Sequence, residues 1–390
     1  MADNIVAFPR HNNETLSSRI VPSRIRDARL AQQLNQSELA ALIGVSRQAM
    51  SAYELGDKNP NPDVLIKISK ELSQPISYFT AEERPVFGDF STRFFRSFGV
   101  STKSRNAMCT VMGKWFVQTA RYFFDYVNFP EVSISPTSPS GMRYTDDEIE
   151  DIAEECRHSW GLGYGPISNV LGLLESKGIV VCRYEFEGDK VEAFSFWNGS
   201  RPFIFLASDK KSAARARFDA AHELGHLILH RWVGAEEIED PKILKIIEKE
   251  ANRFAGAFLL PRKTFPSEVF SPRLDAFVNL KRRWKIAIQA MIYRCKDLEI
   301  FDDDQVTNLY KQISYRKWRT EEPLDDILSL ENPILLKRAA ELLIKSNKKS
   351  PDQILAELQI NYKFLIKACG LSSDFFDNKN AFEFSPTLKK

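Results

Sequence analysis

The spacing of apolar residues changes several times along the chain, and each change marks a different kind of segment. From Arg19 to Phe79 short helical patterns follow one another, separated by Gly44, Gly56 and the Asn59-Pro60-Asn61-Pro62 turn. Between Phe90 and Phe124 the aromatics Trp115, Phe116, Tyr122, Phe123 and Phe124 recur at helical spacing. Arg93, Arg96, Lys103, Arg105, Lys114 and Arg121 lie among them, and no acidic residue does. This predicts a basic, aromatic helix that buries its rings and solvates its charges. Ser133 to Ser140 is rich in proline and serine and reads as a linker.

A second composition begins near Thr145. Asp146 to Trp160 predicts an amphipathic helix with Ile149, Ile152, Ala153 and Cys156 on one face, and Ile167 to Ser176 another, closed by Gly178. Gly178–Tyr184, Ala193–Trp197 and Pro202–Leu206 have the short, β-branched and aromatic character of strands. Long helices follow at about Ser212–His230 and Pro241–Leu260, and the rest is largely helical to about Phe376. Glu321–Leu330 reads as a joint before three last helices, Pro333–Ser346, Pro351–Leu358 and Tyr362–Gly370. The expected organisation is a flexible tail (1–18), a first helical domain (19–80), a helical connector and linker (81–140), and a core domain that carries the strands and the two long helices (141–265). A helical extension (266–320) and a C-terminal helical bundle and tail (321–390) complete it. The fold class is α+β, mostly helical, with an all-α first domain and a small sheet in the core domain.

Within the first long helix, His222 and His226 stand at i and i+4, which puts both imidazoles on one face where they can hold one metal ion. Glu223 is adjacent and can serve as general base toward water at that metal. Zinc suits these ligands best. Gly225 lowers helix propensity and therefore points to close packing or room near the metal. A third ligand is needed. His230, one turn past His226, is one candidate, although three consecutive i, i+4 positions fan out around a helix. A carboxylate from the next helix is a better one. Glu248 and Glu250 compete, and being two apart they face different ways. Glu248 shares its face with Ala251, Asn252 and Ala255 and is preferred; Asn252, one turn on, would then hydrogen-bond a ligand imidazole from behind.

In the first domain, a helix from Ser23 to Leu34 precedes a second at Gln36–Ile43. Gly44-Val45-Ser46 supplies the turn, with Ser46 capping a third helix, Arg47–Glu54. Arg47, Gln48 and Ser51 at the start of that third helix, with Gln36 and Ser37 at the start of the second, are the expected DNA contacts. Arg19, Arg24, Arg26, Arg29 and Arg47 cluster early and suit phosphates.

These residues carry two resemblances. Ile25 to Phe79, through Gln36-Ser37-Glu38-Leu39-Ala40, Gly44-Val45-Ser46 and Tyr53-Glu54-Leu55-Gly56, resembles the Cro/repressor-like (XRE-type) helix-turn-helix family. The other rests on Arg217-Phe218-Asp219-Ala220-Ala221-His222-Glu223-Leu224-Gly225-His226, Glu248-Lys249-Glu250-Ala251-Asn252-Arg253-Phe254-Ala255 and Leu259-Leu260-Pro261. Together with Trp160–Ile167 and Leu174–Ile179, these resemble the ImmA/IrrE family of zinc metallopeptidases over roughly Tyr144 to Trp318. That resemblance implies a zincin-like domain with His222, His226 and Glu248 as zinc ligands and Glu223 as base, acting on a DNA-bound repressor. In the same family the stretch Leu280–Arg294 resembles a second helix-turn-helix; a basic helix packed beside the core fits it equally.

The strand Pro202–Leu206 precedes the metal helix, so Phe203, Ile204 and Phe205 are expected to offer an edge to an extended substrate. The partners expected are a DNA operator and a protein substrate of repressor or antitoxin type, with a homodimer compatible with such modules. A non-proteolytic regulator that senses a ligand, metal or partner is the alternative.

Composition alters this picture little. A net charge of +2 is too small to speak for nucleic acid by itself. With 43% hydrophobic and 27% charged residues the 390-residue chain is ordinary globular protein. Five scattered cysteines without a CxxC pair suit buried free thiols in a reducing compartment. No run approaches a membrane span and the N-terminus does not resemble a signal peptide, so the expected location is cytoplasmic.

Overall fold

The computed structural model describes residues 20–81, 94–95, 103–185, 193–207 and 212–376. Five short helices come first: α1 (Pro22–Ala31), α2 (Gln36–Ile43), α3 (Arg47–Leu55), α4 (Pro62–Glu71) and α5 (Ile76–Thr80). A two-residue strand β1 (Phe94–Phe95) and the helix α6 (Lys103–Phe124) follow. Next come α7 (Asp146–Ser159), α8 (Val170–Ser176), β2 (Val180–Tyr184), β3 (Ala193–Asn198) and β4 (Arg201–Ala207). The remainder is α9 (Ala213–Leu229), α10 (Ala235–Glu239), α11 (Pro241–Leu259), α12 (Leu274–Trp284), α13 (Ile288–Asp297), α14 (Asp303–Tyr315), α15 (Leu335–Lys345), α16 (Pro351–Leu358) and α17 (Tyr362–Cys369). The tail to Ser18, with Arg93 and Arg96, lies outside the described residues. No described helix is long and apolar enough to cross a membrane. All five cysteines are buried and free of disulfides.

Two compact units emerge. The first gathers α1–α5, α6 as far as Gln118, and residues 352–362. Its core draws on Ile25, Ala28, Leu39, Met50, Leu65, Ile68 and Phe79, each at most 3% exposed. Trp115 on α6 donates its indole N–H to the Tyr78 hydroxyl at 3.1 Å, so the basic, aromatic helix buries its rings as its pattern implied.

The second unit contains β1, the rest of α6, the chain from there to Pro351, and residues from Lys363. Its sheet runs β1-β3-β4-β2. β4 pairs in parallel with β2 (Val180 opposite Phe203, Tyr184 opposite Ala207) and antiparallel with β3 (Ala193 opposite Leu206, Asn198 opposite Arg201). This corrects one expectation. Phe203, Ile204 and Phe205 do not sit on a free edge, because β4 is hydrogen-bonded on both sides. Its continuous apolar run, here at most 1% exposed, belongs to a strand covered on both faces, and which strands flank its edges is a separate matter that the run does not report. The strand beyond it is β3, whose outer side pairs with Phe94 and Phe95 of β1.

Two stretches without regular structure are tied down. In the Pro/Ser-rich segment, Ser133 N–H donates to Lys177 O at 3.0 Å, and Thr137 N–H to Ile228 O at 2.8 Å. The Trp160 indole N–H donates to Ser133 O at 2.8 Å. The joint near Glu321 is likewise anchored. Lys281, fully buried, reaches Glu322 at 2.9 Å and Asp325 at 2.7 Å. The Glu331 carboxylate accepts from Val170 N–H at the start of α8 and from the Arg217 guanidinium. The Leu280–Arg294 stretch takes in the end of α12 and most of α13, and two of its basic groups are spent inside the unit. Besides Lys281, Arg294 is 1% exposed and grips Glu150 with both terminal nitrogens.

Candidate metal centre and nucleic-acid interface

α9 begins where Ser212 accepts the Arg215 N–H and ends at His230. Nearly all of it is buried, between the sheet and α11, and two side chains of β3 tie it to the sheet. The Ser195 hydroxyl donates to Glu223 O at 3.3 Å, and the Trp197 indole to Leu227 O at 3.1 Å. Gly225 supplies the close approach to α11. A Cβ there would stand 3.2 Å from Phe254 Cδ1 and 3.3 Å from the Ala251 backbone. The two helices are thereby brought near enough for short side chains to meet between them.

They meet at three residues. His222 Nε2 and His226 Nε2 are 3.0 Å apart. Glu248 from α11 places Oε2 at 3.3 Å from the first and Oε1 at 3.4 Å from the second. Ligand bonds of about 2.0–2.2 Å at tetrahedral angles separate donor atoms by about 3.3 Å, so this donor set fits one zinc ion. His222, Glu223 and His226 are all 0% exposed. Burial pushes the Glu248 carboxyl up, but its two imidazole neighbours outweigh this and hold it well below the ordinary range.

The supporting groups are equally specific. His222 Nδ1 lies 3.0 Å from Asn252 Oδ1. An amide oxygen only accepts, so Nδ1 carries the hydrogen and Nε2 keeps its lone pair for a metal. Asn252 thus stands where the sequence put it. Glu250 does face away from the three donor atoms, yet it is not idle. Its Oε2 is 2.9 Å from His230 Nε2, while His230 Nδ1 is 3.0 Å from His226 Nδ1. Burial raises the Glu250 carboxyl to about 7, against the opposing charge of Arg143 and a hydrogen bond from the Tyr144 backbone. Burial also drives His230 well below its ordinary value, and His226 adds to that. Sequence reasoning weighed His230 and Glu250 only as rival ligands and missed Arg143 and Tyr144. The signal available was the third i+4 histidine, without which a buried chain of this kind cannot form.

One turn before His222 on α9 and one turn past Glu248 on α11, a pocket of about 460 Å³ opens, lined among others by Arg215, Asp219, Asn252, Tyr293, Asp297 and Arg319.

In the first unit, Asn35 and Glu38 cap α2 reciprocally. Gly44 takes a left-handed φ of +74°, and the Ser46 hydroxyl accepts the Ala49 N–H at 3.1 Å to start α3. Ser37, Arg47 and Gln48 are exposed and Ser51 is half-buried. Gln36 is engaged elsewhere, donating its amide to Glu54 at 2.9 Å. The early arginine cluster needs correction. Arg29 is 7% exposed and forks onto Glu54 at 2.5 and 2.8 Å, and Arg24, 6% exposed, lies over the Tyr78 ring at 4.9 Å. Both face the domain interior, because each finds its partner there. Arg26 and Arg47 remain exposed, and Arg19 lies outside the described residues.

A model of the IrrE N-terminal-like domain matches residues 174–296, which hold all three metal-site residues, and a helix-turn-helix model matches residues 25–79. The chain carries an IrrE N-terminal-like domain behind an N-terminal helix-turn-helix domain. The cryptic phage CTXphi transcriptional repressor RstR of Vibrio cholerae is 37% identical over 60 residues, 15% of this chain and 54% of its own. An uncharacterized transcriptional regulator in the ATPase CF(0) region of Rhodospirillum rubrum is 40% identical over 62 residues, 16% and 57%. The chain spans about half the length of these curated relatives. The chain thus joins a helix-turn-helix domain to an IrrE N-terminal-like domain that holds a His-His-Glu candidate metal site.

Proposed function

We propose that this protein is a zinc metalloendopeptidase that its DNA-binding domain brings to a regulatory protein, of repressor or antitoxin type, which it cleaves. The observation that carries the reading is the convergence of His222, His226 and Glu248 at ligand spacing, beside the general-base candidate Glu223. A zinc ion held there would supply Lewis acidity to the scissile carbonyl. Glu223 then removes a proton from the attacking water as the C–O bond forms, and returns it to the amide nitrogen as the C–N bond breaks. The pocket beyond Asn252 has room for a substrate side chain. Arg47, Gln48, Ser51 and Ser37 meet the operator; Gln36 does so through its backbone, its amide being held by Glu54. A cytoplasmic setting follows from the DNA target.

Two observations favour a second reading, a non-proteolytic regulator that senses a metal or partner: both imidazoles and Glu223 are fully buried, and β3 already pairs with β1 on its outer side. The variant Glu223→Gln separates the two. It keeps side-chain size and all three ligands, so zinc content should match wild type. Cleavage of the co-expressed target regulator should fall by roughly 10²–10⁴-fold, and the controlled genes should stay silent. Normal induction by Glu223→Gln, with no cleavage product in wild type, would leave the regulator reading.

A further inference from the structure

We propose that Lys103, at the start of α6, is a further DNA contact, which grips a backbone phosphate beside the first turn of α2. The proposal rests on the DNA-binding reading above and extends its interface to a helix outside the helix-turn-helix. The need for such a contact comes from charge. Phosphate neutralisation supplies nearly all of a protein's non-specific affinity for DNA. Yet Arg24, Arg29 and Glu54 are buried, and the surface cations between residues 20 and 81 are matched one for one by surface carboxylates. Together α2 and α3 bring Arg47 as their one cation, against the exposed Glu38. The helix α6 is the opposite case. From Lys103 to Gln118, the part that belongs to the first unit, it holds Lys103, Arg105 and Lys114 and no carboxylate.

Packing decides where those charges lie. Ser104, Met108, Val111 and Trp115 share one face of α6, and the last three are buried. Two contacts fix the direction of the helix. Further along it, Lys114 Nζ lies 3.1 Å from Asp27 Oδ2, within α1. At its start the Ser104 hydroxyl donates to Gln33 O at 3.4 Å, just past the end of α1. The helix therefore runs antiparallel to α1 and begins at the turn between α1 and α2. Two residues after Gln33, Asn35 caps α2, and the exposed Ser37 stands on the first turn of α2. The three cations have different fates. Lys114 is spent on Asp27 and Arg105 is half-buried, whereas Lys103 is exposed, next to the residue that touches the turn. A duplex carries one phosphate charge per ~1.7 Å of its axis, so one seated on the starts of α2 and α3 runs its backbone past this turn as well. The compact charge of a lysine on its flexible stem suits such a contact, which positions the duplex without reading its sequence.

The test uses the full-length protein and a short random-sequence duplex, titrated over a series of salt concentrations. In wild type the logarithm of the affinity should fall linearly with the logarithm of the salt concentration. Lys103→Gln leaves the buried face of α6 intact and should make that slope shallower by about 1, with the same weakening on unrelated sequences. Lys103→Arg keeps the charge and should restore the slope. Lys70→Gln removes an exposed charge from the last turn of α4, and should titrate like wild type. An unchanged slope in Lys103→Gln overturns the contact. So do equal losses in Lys103→Gln and Lys70→Gln, which would mean that total charge governs binding and not a phosphate held at α6. Wild type that binds no duplex at any salt concentration would fail the DNA-binding reading and the proposal with it. The wild-type titration alone separates that result from a failure of Lys103.

Discussion

Two helices carry the candidate chemistry, and they spend their polar residues in opposite ways. On α3 the groups that would touch DNA, Arg47 and Gln48, are exposed, and the buried residues Met50, Tyr53 and Glu54 hold the domain together. On α9 the order is reversed: His222, Glu223, His226 and His230 are all fully buried. A contact surface can be carried on a fold at little energetic cost. A metal centre has to be built into the core, where every polar atom needs a partner. Substitutions on α3 should therefore separate function from stability, whereas those on α9 entangle them unless shape and hydrogen bonding are kept.

The largest effect expected from this contrast lies in the first unit, at a residue with no DNA role. Arg29→Met leaves Glu54 buried with the Gln36 amide as its remaining partner among these three. It should lower the opening free energy of α1–α3 amides, read by native-state hydrogen exchange, by about 3–5 kcal/mol. Unchanged protection would mean that the Arg29–Glu54 pair does not hold these helices. In the second unit, zinc at about 1,000 times its dissociation constant should add roughly 4 kcal/mol to the protection of α9 and α11 and nothing to α3. Equal gains in both helices would erase the distinction drawn here. Arg47→Ala should weaken operator binding by about 1–3 kcal/mol at fixed salt, measured by DNA titration, with amide protection unaltered. The smallest effect concerns a polar group held on the surface side of a helix start rather than in the core. Glu148 is half-buried, and hydrogen bonds from the Ser140 hydroxyl and then the Thr145 backbone lower its carboxyl from 4.5 to about 2. A lowered folded-state value stabilises above about pH 4.5, and the benefit fades as pH falls toward 2. Glu148→Gln should thus weaken α7 at neutral pH and match wild type near pH 2 in circular dichroism melts.

Much of this was legible along the chain because the signals are local. The i, i+4 histidines, the small residues sharing a face with Glu248, and the turn at Gly44 all depend on neighbours a few positions away. Helix and strand limits followed the apolar spacing to within a few residues: α9 and α11 begin and end almost where the pattern changes. Distant partners were the obstacle. Arg24 and Arg29 read as phosphate ligands because nothing beside them reveals Tyr78 or Glu54. β4 read as an edge because periodicity reports how a strand is buried, while its place in the sheet depends on which strands come to lie beside it. His230 and Glu250 were each visible, but their meeting required knowing how α9 and α11 face each other. The short helix α10 was not anticipated at all, its five residues being too few to show a period.

The buried carboxylates of the segment after α14 have a practical consequence for anyone shortening the chain. Similarity to the IrrE N-terminal-like domain ends at residue 296, and the end of α14 at Tyr315 looks like a natural place to cut. A cut there would remove Glu322, Asp325 and Glu331, stranding the Lys281 ammonium and the Arg217 guanidinium in the interior. Losing one side of a buried pair costs about 3–5 kcal/mol, a large share of the stability of an ordinary domain. The smallest autonomous fragment is therefore set by where its charges are neutralised, and it has to run past Glu331.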